Sequence, residues 1–307
     1  HLAQQGYTPV LCTQTPGGVH EDDYVQLLLA HGVAGIINIS GLHADTEADT
    51  ERYWRLHELG LPMVLVNGSV DGLAVPTVVN DDVLAVELAV SHLVQLGHTR
   101  IGLVAGPARF SPVIRKIEGF RRAMTRHTEL SAAEVDELVE HQLFTVEGGA
   151  ICGESLLARG ATAVVAASDL MALGVIRAVR ARGLRVPEDV SVVGFDDSLL
   201  IGFTDPPLTT IRQNVAAMAL AAVTSLLEVI GGSDVHGAEY VFQPELVVRG
   251  STAACPTEAS GRHTGRARLR SARSLAGASG TTSGDVSGGR TRRTQRSLPV
   301  AKGPAGG

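Results

Sequence analysis

Asp196 and Asp197 end the run SVVGFDD. A carboxylate placed just beyond a buried strand can accept two hydrogens from a hydroxyl-bearing molecule. Asp196 is the binding candidate of the pair, with a turn or helix cap as its alternative role, and Asp197 is expected to be the cap. Asn67 follows MVLV, and its amide can donate and accept at once; standing before Gly68, it equally suits a left-handed turn. Arg115 and Lys116, in SPVIRKIEGF, are either cations facing a cleft or the solvated face of a helix. Aromatic residues make up only 4% of the chain, so Phe144 is either a flat apolar contact for a ligand or a core residue. Ser168 touches ligand or caps the helix that follows, capping being the simpler role. Gln213, after LTTIR, is a further pocket candidate.

Other chemistries find little support. His20, Glu21, Asp22 and Asp23 are neighbours that point in different directions at a helix start, where acids complement the helix dipole, so no metal site is expected. HExxH, GxSxG, GxGxxG and Walker patterns are absent, leaving no catalytic constellation and no expected cofactor. Cys12, Cys152 and Cys255 are odd in number and widely spaced, which argues against a disulfide framework and for a reducing, cytoplasmic setting. No uninterrupted apolar run reaches membrane-spanning length. From residue 256 onward ten Lys and Arg face Glu258 and Asp285, about +8, so the total of −6 leaves about −14 on the body. Such a body repels phosphate, and DNA contact has to come from elsewhere.

The elements that must position these residues alternate between β-branched runs and amphipathic helical stretches, the pattern of an α/β protein with parallel sheets. Strands are expected at 8–13, 35–39, 63–66, 100–105, 163–167 and 191–195. Asn80, Asp81 and Asp82 offer N-caps for a helix that Gly97 stops, and Ser168 or Asp169 opens another that Gly183 closes. A last long helix is expected at 215–231, then an irregular edge strand at 240–248 containing Pro244. Beyond about 251 the composition turns to Gly, Ser, Thr, Ala and Arg, and 253–307 is expected to be a disordered basic tail.

Four stretches, in order, resemble the lactose-repressor-type (LacI/GalR) family of transcription regulators: NDDVLAVELAVSHLVQLGHTRIGLVAG at 80–106, AVVAASDLMALG at 163–174, GLRVPEDVSVVGFDDSLLIGFTDPPLTTIRQ at 183–213 and PELVVRGST at 244–252. The resemblance implies two doubly wound, periplasmic-binding-protein-like lobes joined by three crossovers. The N-terminal lobe would comprise 1–79 plus 212–237, with its first strand missing, and the C-terminal lobe 80–211 plus 238–252. HLAQQGY matches the end of the family's first helix, so the helix-turn-helix headpiece is expected to be absent.

By the same resemblance Asp196 matches the effector-binding aspartate, and Asn67 a frequent polar contact. Lys116 stands where the family has a cleft arginine, with Arg115 beside it; lysine lacks the planar fork of arginine. Phe144 matches the aromatic that flanks the effector, and Ser168 stands where asparagine is common. Leu173 and Phe203 are dimer-interface candidates, or else are buried within the lobe. The implied function is a sugar- or small-metabolite-responsive regulator, a homodimer and not an enzyme, acting on operator DNA through a headpiece. A periplasmic or lipid-anchored sugar-binding protein is the alternative. An enzyme on a Rossmann-like sheet would need a glycine fingerprint that the sequence does not show.

Overall fold

A computed structural model describes residues 1–13, 20–233 and 237–256. The expected tail beyond Pro256 lies outside the described residues. Two sheets organise the described chain. The first holds β1 (Ile36–Ile39), β2 (Met63–Val66), β3 (Thr77–Asn80) and β9 (Glu239–Phe242), in that order and all parallel. The second runs β10 (Glu245–Val247), β8 (Thr209–Arg212), β7 (Ser191–Asp196), β6 (Ala163–Ala166), β4 (Ile101–Ala105), β5 (Val139–His141), with β10 alone antiparallel.

In the first lobe α1 (Glu21–Ala30) and α2 (Glu51–Glu58) cover one face of the sheet. Val25, Tyr53 and Leu56 are buried there against Ile36, Met63 and Leu65. The opposite face packs α8 (Val215–Ile230), whose Met218, Ala222 and Leu226 meet Val64, Val66 and Val78. Alternate strand residues therefore serve two cores, as the period of two requires. In the second lobe α3 (Asp82–Gln95) pairs with α4 (Ser111–His127), and α6 (Val146–Ala158) pairs with α7 (Asp169–Ala181); a short α5 (Ala132–Asp136) follows α4. Gly149 and Gly174 let α6 and α7 approach closely, because a Cβ on Gly149 would collide with the Met171 carbonyl and one on Gly174 with the Val146 carbonyl.

The chain passes between the lobes three times: from β3 into α3, from β8 into α8, and from β9 into β10. The apolar clusters respect this division. Every residue of the large cluster belongs to the second sheet or to the helices and loops around it, and the two smaller clusters belong to the first lobe. No apolar cluster spans both lobes among the described residues.

Several expectations need correction. Residues 8–13 form no strand and pair with no sheet; Val10 and Leu11 stand exposed. The single strand expected at 240–248 is two strands on different sheets, because Pro244 interrupts the ladder and the chain changes lobe there. Consequently 239–242 belong to the first lobe, not to the C-terminal one. The expected tail also begins too early. The Ser251 hydroxyl accepts from Thr209 N at 2.8 Å and donates to the Val192 carbonyl at 2.6 Å. Ala253 N donates to Ser191 Oγ at 3.0 Å, and Cys255 N to the Leu96 carbonyl at 2.8 Å. Buried His98, of the LGH turn, bridges Thr162, Ser191 and the Ala253 carbonyl. Residues 251–255 are thus fastened to the second lobe. No described helix is long and apolar enough to cross a membrane.

Candidate ligand-binding cleft

In doubly wound sheets ligands gather beyond the carboxyl ends of the strands, and these ends carry most of the residues singled out above. The loop after β1 touches the loop after β4, since Thr46 donates to the Arg109 carbonyl, so the carboxyl ends of the two sheets face one another. On the first lobe, Asn67 follows β2 in the left-handed region, φ 70°. Its amide nitrogen donates to the hydroxyl of Ser40, which follows β1 with φ 49°. Asn67 is therefore the left-handed turn residue of the second reading, with its amide at a strand end.

On the second lobe, Asp196 ends β7 with φ 110°, a conformation that costs a non-glycine residue of the order of 1–3 kcal/mol and persists only where surroundings enforce it. The next residue, Asp197, also has positive φ and caps no helix: it accepts from Arg249 Nη2 at 2.5 Å and Arg212 Nε at 2.7 Å. Burial alone would raise its pKa, but these two guanidiniums outweigh it and hold the carboxyl low. The paired arginines pin Asp197 and so turn Asp196 the other way. Asp196 Oδ1 accepts from Gln213 Nε2 at 2.7 Å. Desolvation, reinforced by Asp169 and Asp82 and opposed by Gln213 and Lys116, pushes the Asp196 carboxyl up to about 6.

Lys116 is buried on α4; its ammonium binds Asp82 Oδ1 and sits 4.1 Å from the centroid of the Phe195 ring. Arg115 reaches the other oxygen of Asp82, with Nε at 3.1 Å and Nη2 at 2.9 Å. The two cation candidates thus share one carboxylate. Asp82 is the residue that sequence reasoning missed: read there as a possible cap, it is 3% exposed and the cap is Asp81, which accepts from Leu84 N at 2.9 Å. The signal was available, since a cap run with two acids leaves one free for another partner.

Ser168 caps α7, accepting from Met171 N at 3.2 Å, and is buried. Asp169 behind it accepts from Ser198 and Thr210. Phe144 is 42% exposed, too open for a core residue, and its ring lies over Gly106 at the end of β4, where a Cβ could not fit. Asn80, the last residue of β3 at the first crossover, is buried with neither amide atom partnered. The structure therefore brings together Asp196, Gln213, Lys116 and Asp82, sets Asn67 with Ser40 on the facing lobe, and gives Ser168 to a helix. Leu173 packs partly buried against the second core, whereas Phe203 is 88% exposed beside exposed Leu199 and Leu200. Among the described residues no group of His, Cys, Asp and Glu is arranged to hold a metal ion.

Two doubly wound lobes with separate cores, one of them carrying a strained carboxylate at a strand end, define a protein of the periplasmic binding protein-like class. Residues 90–252 match the model of that domain. The chain belongs to the LacI family of transcriptional regulators. It is 60% identical over 258 residues to the HTH-type transcriptional regulator MalR of Streptomyces coelicolor, covering 84% of this chain and 75% of that one. Among solved structures it is similar to a LacI family transcriptional regulator from Enterococcus faecium with bound ribose, TM-score 0.71 at 27% identity, covering 82% of this chain and 90% of that one. It is also similar to the transcriptional regulator CelR in complex with cellobiose, TM-score 0.67 at 32% identity, covering 75% and 69%. These relatives decide between regulator and transport receptor in favour of the regulator.

Proposed function

We propose that the cleft binds a mono- or disaccharide without turning it over, and that this binding sets the operator affinity of a cytoplasmic, homodimeric repressor. The observation that carries the reading is the pair Asp196–Gln213, an acceptor and a donor at the ends of adjacent strands. A carboxylate and an amide side by side suit vicinal hydroxyls, which donate and accept together. Asn67 and Ser40 offer the same combination from the other lobe, and the Phe144 ring an apolar face for the C–H side of a sugar. Lys116, held by Asp82, supplies positive charge and not a planar fork, and Arg115 steadies the same carboxylate. Similarity to regulators bound to ribose and to cellobiose supports the sugar class.

Operator contact is assigned to a helix-turn-helix headpiece of the kind the curated relatives are named for. Exposed Phe203, Leu199 and Leu200 offer apolar surface to a second copy of the chain, and Leu173, partly buried at the core edge, is a further candidate. The test is titration calorimetry of the full chain against ribose, cellobiose and related sugars, beside Asp196→Asn. Saturable binding by the parent and at least tenfold weaker binding by the variant are expected. Equal affinities for both proteins refute the assignment of Asp196.

A further inference from the structure

The lobes are joined by three covalent crossovers, and they also touch between the loops after β1 and β4. Asp45 Oδ2 accepts from Arg109 Nε at 2.8 Å. Thr46 donates to the Arg109 carbonyl from its backbone nitrogen at 2.9 Å and from its hydroxyl at 2.8 Å. The Ser111 hydroxyl donates to the Ala44 carbonyl at 3.2 Å, and Asp45 and Phe110 form an isolated antiparallel bridge. The first-lobe half is well anchored: His43 Nε2 bonds the Val66 carbonyl at 3.0 Å, His43 N donates to Tyr53 Oη at 3.0 Å, and Leu42 N donates to Glu21 Oε2 at 3.0 Å. Asp45 Oδ1 also accepts from Glu47 N at 3.1 Å. The second-lobe half is looser, with the Arg109 side chain 49% exposed against 6% for Asp45.

The contacts that cross this seam are hydrogen bonds and one ion pair, while each apolar cluster stays within its lobe. Parting the lobes there divides no apolar cluster and breaks hydrogen bonds and an ion pair whose groups water can solvate. We propose that Ala44–Thr46 and Arg109–Ser111 form a clasp, locked by the Asp45–Arg109 pair, that holds the cleft closed and slows the passage of ligand in and out. The part concerning ligand rests on the sugar-binding reading above; the clasp itself does not. The lock is half open to solvent, so its effect is of the order of three- to tenfold in the closed-to-open ratio.

Hydrogen exchange on the full chain reads this directly, because the Thr46 amide bonds across the seam. In Asp45→Asn and Arg109→Gln the Thr46 amide is expected to exchange three- to tenfold faster, the double variant no faster than either single, with β4 and β6 as protected as in the parent. Unchanged exchange at Thr46 overturns the clasp, and so does loss of protection that spreads into β4 and β6, which would mark a role in folding. Ribose and cellobiose are the binding probes, and a bound sugar should leave both variants three- to tenfold faster; an unchanged release rate overturns the gating. If neither sugar binds the parent, the sugar reading fails, while exchange still judges the clasp.

Discussion

Replacing Asp82 with leucine strips the carboxylate from two cations at once. Arg115 can turn to solvent, its side chain being 31% exposed, but Lys116 at 8% cannot. An unpartnered buried ammonium costs about 3–5 kcal/mol, of which the Phe195 ring, 4.1 Å from Nζ, returns about 1 kcal/mol. The loss also has a ceiling, because a buried ammonium can shed its proton: from an ordinary lysine pKa near 10.4 this costs about 4.6 kcal/mol at pH 7 and about 2 kcal/mol at pH 9. We expect Asp82→Leu to lose about 2–4 kcal/mol at pH 7 and less than about 2 kcal/mol at pH 9. The sign follows from linkage: in the variant the unfolded chain holds the lysine proton more firmly than the folded one, so stability relative to the parent rises with pH. Asp82→Leu with Lys116→Met, which removes both charges, should return to within about 1 kcal/mol of the parent. Guanidinium unfolding of the second lobe, followed by far-ultraviolet circular dichroism at both pH values, measures all three. A single variant that loses under about 1 kcal/mol, or the same amount at both pH values, refutes the argument.

Sugar affinity should fall as pH drops below about 6, because protonation removes acceptor sites from Asp196; the raised folded-state pKa also means that this group costs stability progressively as pH rises from about 3.8 to about 6. Calorimetry between pH 5 and 8 checks this, and a flat profile counts against Asp196 as the acceptor. Phe203→Arg is expected to shift the proposed dimer to monomer in sedimentation at micromolar concentration, with its melting temperature little changed, and an undisturbed dimer would place the interface elsewhere. Gly149→Ala should cost about 1–3 kcal/mol by forcing α6 from α7, read by thermal unfolding; an unaltered midpoint would mean that the helices have slack there.

Sequence reasoning reached the α/β class and three of the six second-lobe strands because their β-branched runs, caps and stopping glycines agree with one another, and it reached the two lobes through the family resemblance. It failed where pairing, not pattern, decides. Residues 77–80 and 139–141 are strands of only four and three residues, too short to display a period of two, and 240–248 reads as one strand although Pro244 separates segments that join different sheets. At the site, Asp196 was legible from its place after SVVGF. The partnership of Asp82 with Arg115 and Lys116 was not, because thirty-odd residues separate partners that only the packing of α3 on α4 brings together. Asp45 with Arg109 lies further still from local pattern.

The three crossings between separately cored lobes also govern how such a protein can be recombined. A chimaera that takes the first lobe from one relative and the second from another needs three junctions, near Asp81, Gln213 and Gln243, because neither lobe is a continuous stretch of chain. Since no apolar cluster crosses the boundary among the described residues, neither core must be repacked to receive its new companion. A single-crossover recombinant, by contrast, divides a core between two parents, so lobe exchange calls for mosaic inheritance.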